Sequence, residues 1–155
     1  MKSHSVNVPY GLLLLAVALQ GCSMARLESM TGTTQKASGE IIVPWGTDAE
    51  HPFVPQDCLS GDRANFRGVD LLSPTLIVRV VAEPLEGISV AFIDPQTGKR
   101  LAVLRPPDCS GLSGDVQRTG WRVNDVADVN GYVDIDCLSP SGEEIKGRID
   151  FEHCH

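Results

Sequence analysis

Residues 83–105 read EPLEGISVAFIDPQTGKRLAVLR, and this stretch predicts a β-hairpin that decides the fold. Its centre, Asp94-Pro95-Gln96-Thr97-Gly98-Lys99, has Pro where a type I turn needs φ of about −65° and Gly where the chain turns left-handed. Apolar residues flank the turn on both sides and give the hairpin an apolar face. Because an isolated two-stranded ribbon is marginally stable in water, other strands must pair with it or cover it.

Pairing Asp94 with Lys99 sets the register of this hairpin. The opposed pairs are then Phe92–Leu101 and Val90–Val103 on one face and Ala91–Ala102 on the other. We expect the first two pairs to form the buried face.

A second hairpin is predicted near the C-terminus, where residues 132–138 and 143–151 flank Pro140-Ser141-Gly142. This loop suits a type I turn followed by a left-handed Gly. If Ser139 pairs with Glu143, charged pairs lie on one face and apolar pairs on the other. The charged pairs are Asp134–Arg148 and Asp136–Lys146, and the apolar pairs are Val133–Ile149 and Cys137–Ile145. Turn residues, alternation and charge therefore select the same register.

Three further segments predict strands. Residues 40–45 suit a first or edge strand that ends at Pro44, residues 75–82 form a continuous β-branched run, and residues 116–123 carry Trp121. We expect the residues between Arg105 and the Trp121 strand to form a loop.

Two aromatic residues, Trp45 and Phe53, lie in or beside a Pro-rich loop. We expect both to pack into the core, because a domain with few aromatic residues tends to bury those it has. A ligand platform built from the two rings is the alternative.

The N-terminal segment predicts export. Lys2 precedes an apolar run from Gly11 to Leu19, which is too short to span a bilayer as a helix and has the layout of a secretory signal. The run ends in Leu19-Gln20-Gly21-Cys22, which resembles the lipobox of bacterial lipoproteins. An ordinary signal peptide with a chance Cys, or a short buried helix, is the alternative.

The lipobox resemblance implies a signal peptide over residues 1–21, a diacylated Cys22 that begins the mature chain, and a stable lipid anchor. Ser23 stands where an Asp would signal inner-membrane retention, so the resemblance implies the outer membrane. Residues 22–39 are small and polar beyond the Cys and predict a flexible tether. Residues 40–155 then form one domain.

Charge excludes some partners. The chain has 13 basic and 20 acidic residues, a net charge of −7, and removal of residues 1–21 takes away Lys2 and no acid. Nucleic acid and anionic lipid bind through clustered Lys and Arg, so neither is an expected partner. No cofactor is expected.

Four cysteines follow the predicted anchor: Cys58, Cys109, Cys137 and Cys154. An even number in an exported chain predicts two disulfides, and the absence of a paired C-x₂-C disfavours zinc. In the register of the second hairpin, Cys154 lies opposite Asp128 and about 30 Å from Cys137, too far for a bridge. We favour Cys109–Cys137 with Cys58–Cys154. The pairing of Cys58–Cys137 with Cys109–Cys154 stays open.

Three sequence features together resemble transthyretin-like domains, in particular carboxypeptidase-regulatory-like and Cna-B-type domains. They are Val78–Gly87 (VRVVAEPLEG), the DPQTGK turn and Asp128–Val133 (DVNGYV), and the match covers residues 75–151. The resemblance implies a single Greek-key β-sandwich of about seven strands that serves as a display, stalk or binding module. The Lys–Asn cross-link of some Cna-B-type domains is not expected, because Arg79 occupies the entry strand.

Asp125, Asp128 and Asn130 form a candidate calcium loop, since hard cations bind clustered oxygen ligands. The spacing does not fit an EF-hand, because Val126 and Cys137 would take positions that need carboxylates. We favour the alternative, an Asn130-Gly131 turn beside a solvated acidic face.

Asp134 and Asp136 share a strand face and are a candidate general acid and base pair. Lys146 and Arg148 face them in the predicted register. We therefore expect a neutralised surface rather than the protonated carboxyl that a general acid requires.

The C-terminal His153-Cys154-His155, with His51 as a third imidazole, is a candidate soft-metal site. Strand alternation predicts that His153 points inward and Cys154 outward. We favour a disulfide at Cys154 and no metal.

These features predict a non-catalytic outer-membrane lipoprotein whose all-β domain binds an envelope protein or a surface glycan. The alternative is a small envelope hydrolase or metal-dependent factor that uses the His and Asp groups.

Overall fold

The computed structural model describes residues 36–45 and 52–155, which form nine strands in two antiparallel sheets. The predicted all-β sandwich with disulfides is confirmed. The predicted signal peptide, Cys22 and His51 lie outside the described residues. Within the described part of the chain, no helix has the length and apolar character needed to cross a membrane.

Five consecutive hairpin-connected strands build one sheet, in the spatial order β2-β3-β4-β5-β6. They are β2 (Asp57–Ser60), β3 (Gly68–Leu72), β4 (Ile77–Glu83), β5 (Gly87–Ile93) and β6 (Arg100–Leu104). A 3₁₀ helix, Gly61–Ala64, connects β2 to β3. The β-branched run predicted as a strand forms β4, in which Val78 and Val80 are buried while Arg79 pairs with Asp70 on β3 at 2.7 Å.

The other sheet has four strands in the order β1-β9-β8-β7. They are β1 (Lys36–Ile42), β7 (Cys109–Val123), β8 (Val126–Leu138) and β9 (Glu144–Cys154). A second 3₁₀ helix, Pro106–Asp108, leads into β7. Among the described strands, β1 beside β9 is the one pair of neighbours that is not consecutive in sequence, and every other pair is a simple hairpin.

β1 and β7 both begin earlier than the sequence predicts. β1 is an edge strand, as predicted, but it begins at Lys36, so four residues of the segment predicted as tether pair with β9. β7 begins at Cys109 rather than at residue 116, because the polar, Gly-rich segment that suggested a loop pairs along its length with β8. An exposed edge strand needs few apolar side chains, so the sequence gives no apolar signal for the point at which β7 begins.

Inward-facing residues of both sheets form one core. Its largest fully buried side chains include Phe53, Phe92 and Phe151, at 1%, 0% and 0% exposure. Burial of an apolar side chain contributes about 1.5–3 kcal/mol to folding. The expectation that Phe53 packs into the core is confirmed.

Two disulfides hold the sandwich, in the pairing favoured from the sequence. Cys58–Cys154 joins β2 in the five-stranded sheet to β9 in the four-stranded sheet, with 5.1 Å between the Cα atoms. Cys109–Cys137 joins register partners on β7 and β8, with 4.4 Å between the Cα atoms. One bridge therefore links the two layers, and the other fixes the start of the edge strand.

The β8–β9 hairpin has the predicted register. The pairs Asp134–Arg148, Asp136–Lys146, Val133–Ile149 and Cys137–Ile145 are all present. The Ser139 N–H donates to the Glu143 carbonyl at 2.7 Å, and Gly142 has φ of +90°. Local turn chemistry and the apolar face agree here, so the register follows from sequence.

The β5–β6 hairpin forms with the predicted turn, but its register changes by one residue beyond Ile93. Asp94 pairs with Lys99 and Gly98 is left-handed, as expected. A bulge between Phe92 and Ile93 then places Phe92 opposite Ala102 and Val90 opposite Leu104. The extra residue in β6 is Leu101, so Ala102 and Leu104 replace the predicted Leu101 and Val103 on the buried face.

A second bulge reverses the predicted orientations at the end of β9. The pairing moves from Gly131–Phe151 to Val129–Cys154, so Cys154 lies opposite Val129 instead of Asp128. His153 is the extra residue and has φ of +57°. The prediction that His153 points inward and Cys154 outward is therefore wrong, because a bulge inverts strand alternation and Cys154 is fully buried.

The predicted turn at Asn130-Gly131 is also wrong, because both residues lie within β8. The chain reverses instead at Asn124 and Asp125, whose φ values of +49° and +66° match a two-residue hairpin turn. Gly131 serves a close backbone approach: a Cβ there would meet the Asp115 carbonyl oxygen at 1.9 Å.

Candidate functional site

An open pocket of about 410 Å³ lies at one end of the sandwich. Among the described residues, its lining combines one indole ring, one aliphatic side chain and three polar side chains. They are Trp45, Leu101, Thr75, Asp94 and Gln96. Concave sites with an apolar wall and a few polar groups are typical of small-ligand binding.

Trp45 follows β1 and forms the aromatic wall of the pocket. Its ring packs on Phe92 of β5, with 5.3 Å between the ring centroids and an angle of 49° between the planes. Phe92 is fully buried, whereas Trp45 is half-buried. The indole is thus anchored to the core and still exposes part of its surface. Trp45 thus packs against the core as expected, whereas a platform of the two rings does not form, because Phe53 is buried and does not line the pocket.

The β5–β6 turn fixes the polar residues Asp94 and Gln96. Asp94 Oδ1 accepts hydrogen bonds from the backbone N–H groups of Gln96 at 2.8 Å and Thr97 at 3.2 Å. The backbone hydrogen bond from Gln96, followed by the hydrogen bonds from Thr97, lowers the pKa of Asp94 below its usual 3.8. The carboxylate is therefore ionised at neutral pH.

Leu101 of β6 and Thr75 of the β3–β4 turn also line the pocket. The bulge in β6 removes Leu101 from the buried row of the strand and leaves it partly exposed in the pocket wall. Thr75 is exposed in the β3–β4 turn, which Ser73 stabilises through hydrogen bonds to the backbone N–H and C=O of Leu76, both at 3.0 Å. The bulge that changed the predicted register thus supplies the aliphatic side of the pocket.

A second feature joins Asp128 to His153 across the β8–β9 ladder. Asp128 is 3% exposed, and its Oδ2 lies 3.2 Å from His153 Nδ1. Thr119 Oγ1 donates to the same oxygen at 3.0 Å. Among the described residues, Asp128 Oδ1 has no hydrogen-bond partner although it is buried. A carboxylate oxygen accepts, so His153 Nδ1 is the donor in this contact.

Bulges on both neighbours of β8 create this arrangement. The register of β7 shifts between Arg118 and Arg122, which leaves Thr119 and two further residues opposite Asp128. On the β9 side, the His153 N–H donates to the Asn130 side-chain oxygen at 2.8 Å, which holds the left-handed backbone of His153. Bulges of this kind redirect side chains away from regular strand positions.

The proposed calcium ligands do not converge. Asp128 contacts His153 and Thr119, and Asn130 accepts from the His153 backbone. The Asp125 carbonyl accepts from Arg122 in the exposed hairpin turn. Within the described ranges, no group of three or more His, Cys, Asp or Glu side chains is arranged to hold a metal ion.

The other candidate residues have structural partners. Lys146 Nζ lies 3.7 Å from Asp136, and Arg148 lies 3.8 Å from Asp134, as the predicted charge pairing requires. Cys154 is in a disulfide, and His155 Nδ1 lies 2.8 Å from the His153 carbonyl oxygen.

Sequence reasoning identified Trp45 but missed Thr75 and Gln96 as pocket residues. Both lie in turns that are polar for ordinary structural reasons, so their residue types carry no separate signal. The turn motif around Asp94 was the only local indication that this end of the sandwich has a fixed polar surface.

The chain is a disulfide-linked β-sandwich with an open pocket lined by aromatic and polar residues. No protein-family model matches the chain, and no curated protein or solved structure shows significant similarity to it. A functional proposal therefore depends on the chain's own residues.

Proposed function

We propose that this protein is an outer-membrane lipoprotein whose β-sandwich is a non-catalytic binding module of the cell envelope. The anchor is Cys22, inferred from the lipobox-like Leu19-Gln20-Gly21-Cys22. The partner is an envelope protein or a surface glycan. Neither a cofactor nor a nucleic acid is part of the proposal.

The pocket beside Trp45 is the observation that carries the binding function. It presents an anchored indole, an ionised carboxylate and two exposed polar side chains on one concave surface of about 410 Å³. Ligand sites in proteins occupy roughly 300–1,000 Å³ and combine apolar walls with a few fixed polar groups. Turn hydrogen bonds hold Asp94 in place before any ligand arrives, which lowers the entropic cost of binding.

Site-specific photo-crosslinking of the full-length protein in cells tests this function. The photoreactive residue p-benzoylphenylalanine replaces Gln96, which is exposed in the pocket, or Glu144, which is exposed on β9, as the matched control. We expect a light-dependent adduct at position 96 that is absent at position 144. No adduct at position 96, or equal adducts at both positions, contradicts a binding role for the pocket.

The second candidate function is a small envelope hydrolase or metal-dependent factor. The contact between Asp128 and His153 favours it, because a carboxylate on Nδ1 orients an imidazole in many catalytic and metal-binding sites. This function predicts that His153→Gln abolishes an activity or lowers the metal content measured by mass spectrometry. A binding module instead predicts a change in stability alone for substitutions at His153 and Asp134.

A further inference from the structure

We propose that the pocket beside Trp45 binds the pyranose ring of a neutral sugar. This inference rests on the proposed binding function and names the chemical class of its ligand. Three properties of the pocket carry it: a supported aromatic face, polar side chains that accept and donate hydrogen bonds to hydroxyl groups, and the sign of the local charge.

The aromatic face comes from Trp45. A pyranose ring has one face made largely of C–H groups, and such a face stacks on the electron-rich surface of an indole. Trp45 packs on buried Phe92 at 5.3 Å between centroids, so the ring is supported from the core while part of it stays exposed. A supported ring loses little conformational freedom when a ligand stacks on it.

The polar side chains match the hydroxyl groups of a sugar. The Asp94 carboxylate only accepts hydrogen bonds, so it suits hydroxyl donors, and charged acceptors form stronger hydrogen bonds than neutral ones. The Gln96 amide and the Thr75 hydroxyl each donate and accept, which suits hydroxyl groups that do both. Leu101 adds an aliphatic contact beside the indole.

Charge selects a neutral sugar over an anionic one. Among the described residues, those that line the pocket include the Asp94 carboxylate and neither Arg nor Lys. The whole chain carries a net charge of −7. Uronic acids and phosphorylated sugars need cationic partners for their charged groups, so both are disfavoured at this site.

The experiment uses the full-length protein in a detergent without a sugar headgroup. The chain has two tryptophans, so a Trp121→Phe background leaves Trp45 as the single indole reporter. Trp121 is 77% exposed on the β7–β8 hairpin and lies outside the pocket lining. Fluorescence titration uses neutral gluco-, galacto-, manno- and N-acetylglucosamine oligosaccharides, with oligogalacturonate as the anionic probe.

We expect at least one neutral oligosaccharide to produce a saturable change in Trp45 emission and to bind more tightly than oligogalacturonate. Calorimetry then compares variants with that sugar. Asp94→Asn keeps an Oδ1 acceptor for the turn but removes the charge, and we expect it to weaken binding by roughly tenfold. Asp150→Asn makes the same change to an exposed carboxylate on β9 and should leave the affinity unchanged.

Trp45→Ala should abolish saturable binding of the sugar. Gln96→Ala tests the same binding without disturbing the core, because the Gln96 side chain is exposed. Saturable sugar binding that survives both Trp45→Ala and Asp94→Asn would show that the sugar does not bind in this pocket. Tighter binding of oligogalacturonate overturns the choice of a neutral sugar. Failure of every neutral probe overturns the sugar inference, whereas a protease-sensitive photo-adduct at position 96 would still support a binding module with a protein partner.

Discussion

His153 Nδ1 lies 3.2 Å from Asp128 Oδ2, and this contact joins the left-handed bulge of β9 to a buried carboxylate of β8. Asp128 also accepts from Thr119 on β7, so one side chain connects three adjacent strands. The same bulge turns Cys154 into the core, where it bonds to Cys58 of the opposite sheet. The C-terminal end of the sandwich therefore depends on an arrangement that regular strand geometry would not allow.

Replacement of Asp128 by Ala should destabilise the protein by about 1–3 kcal/mol. The substitution removes the carboxylate that accepts hydrogen bonds from the Thr119 hydroxyl and from His153 Nδ1. Donors that lose a buried partner still bear the free-energy cost of their removal from water. The matched control is Asp136→Ala, which removes an exposed pair with Lys146 and should cost at most about 1 kcal/mol. Urea unfolding of both oxidised variants measures the difference. Equal losses of unfolding free energy in the two variants would mean that the Asp128 contacts do not contribute to stability.

The register of the second hairpin over residues 132–151 could be predicted because its information is local. Pro140, Ser141 and Gly142 define the turn, and the register they set places the four residues of the predicted apolar pairs on one buried face. No distant contact opposes this solution. The same register excludes a bridge between Cys137 and Cys154, but it leaves the other two disulfide pairings open.

The bulges at Leu101 and His153 could not be predicted from the same rules. Strand alternation assigns Leu101 to the core, but packing of the opposite sheet decides whether Leu101 or Ala102 fits beneath it. At His153, the inward position of Cys154 is fixed by a partner 96 residues away in sequence. Long-range packing therefore determines which residue is left unpaired.

The pocket was predictable only in part for a related reason. In the sequence, Trp45 is notable as one of few aromatic residues, and Asp94 is notable as the first residue of a predicted turn. Their proximity follows from the packing of Trp45 against Phe92, which no local pattern specifies. Asp128 and His153 were likewise candidates for two different metal sites, and the bulge brings them together.

Replacement of Gly142 by Val should destabilise the protein by about 1 kcal/mol or more. Gly142 has φ of +90°, a conformation that β-branched residues adopt only with strain. A Cβ at this position meets no atom within 4 Å, so the cost comes from the backbone alone. Gly120→Val is the matched control, because its site is equally open and has no left-handed φ. Thermal unfolding should show a lower melting temperature for the first variant, and an identical value for both would contradict the loop assignment.

Replacement of Cys22 by Ala should abolish membrane association, because the lipobox-like sequence predicts that this thiol is the acyl attachment site. Fractionation and metabolic labelling with a radioactive fatty acid measure the effect. Ser23→Ala alters the neighbouring residue without removing the thiol and should leave labelling intact. Label that persists in the Cys22→Ala protein would exclude this attachment site.

Acid should remove the stabilisation provided by Asp150. The hydrogen bonds from Arg148 lower the pKa of Asp150 below its ordinary value of 3.8, so the native state binds its proton less readily than the unfolded state. The contribution is fully present above the ordinary pKa and is lost as the pH falls through the lowered value. Asp150→Asn should therefore reduce stability at pH 7, and this reduction should become smaller as the pH falls below 3.8. Denaturant unfolding across this pH range measures the change, and a reduction that stays constant in acid would refute the linkage.

Loss of the Cys58–Cys154 disulfide should destabilise the protein more than loss of Cys109–Cys137. The bridges close loops with sequence separations of 96 and 28 residues. Restriction of the unfolded chain by loops of these lengths contributes about 4.7 and about 3.6 kcal/mol. The first bridge also connects the two sheets, whereas the second joins strands that already pair as a hairpin.

The comparison uses double variants, so that neither protein carries an unpaired thiol from the removed bridge. Cys58→Ala with Cys154→Ala should lose about 1 kcal/mol more than Cys109→Ala with Cys137→Ala in denaturant unfolding. Peptide mapping of the unreduced parent first verifies the two bridges. A greater loss for the Cys109–Cys137 pair would show that fixing the start of the β7 edge strand contributes more than joining the two layers, because chain entropy alone favours the opposite order.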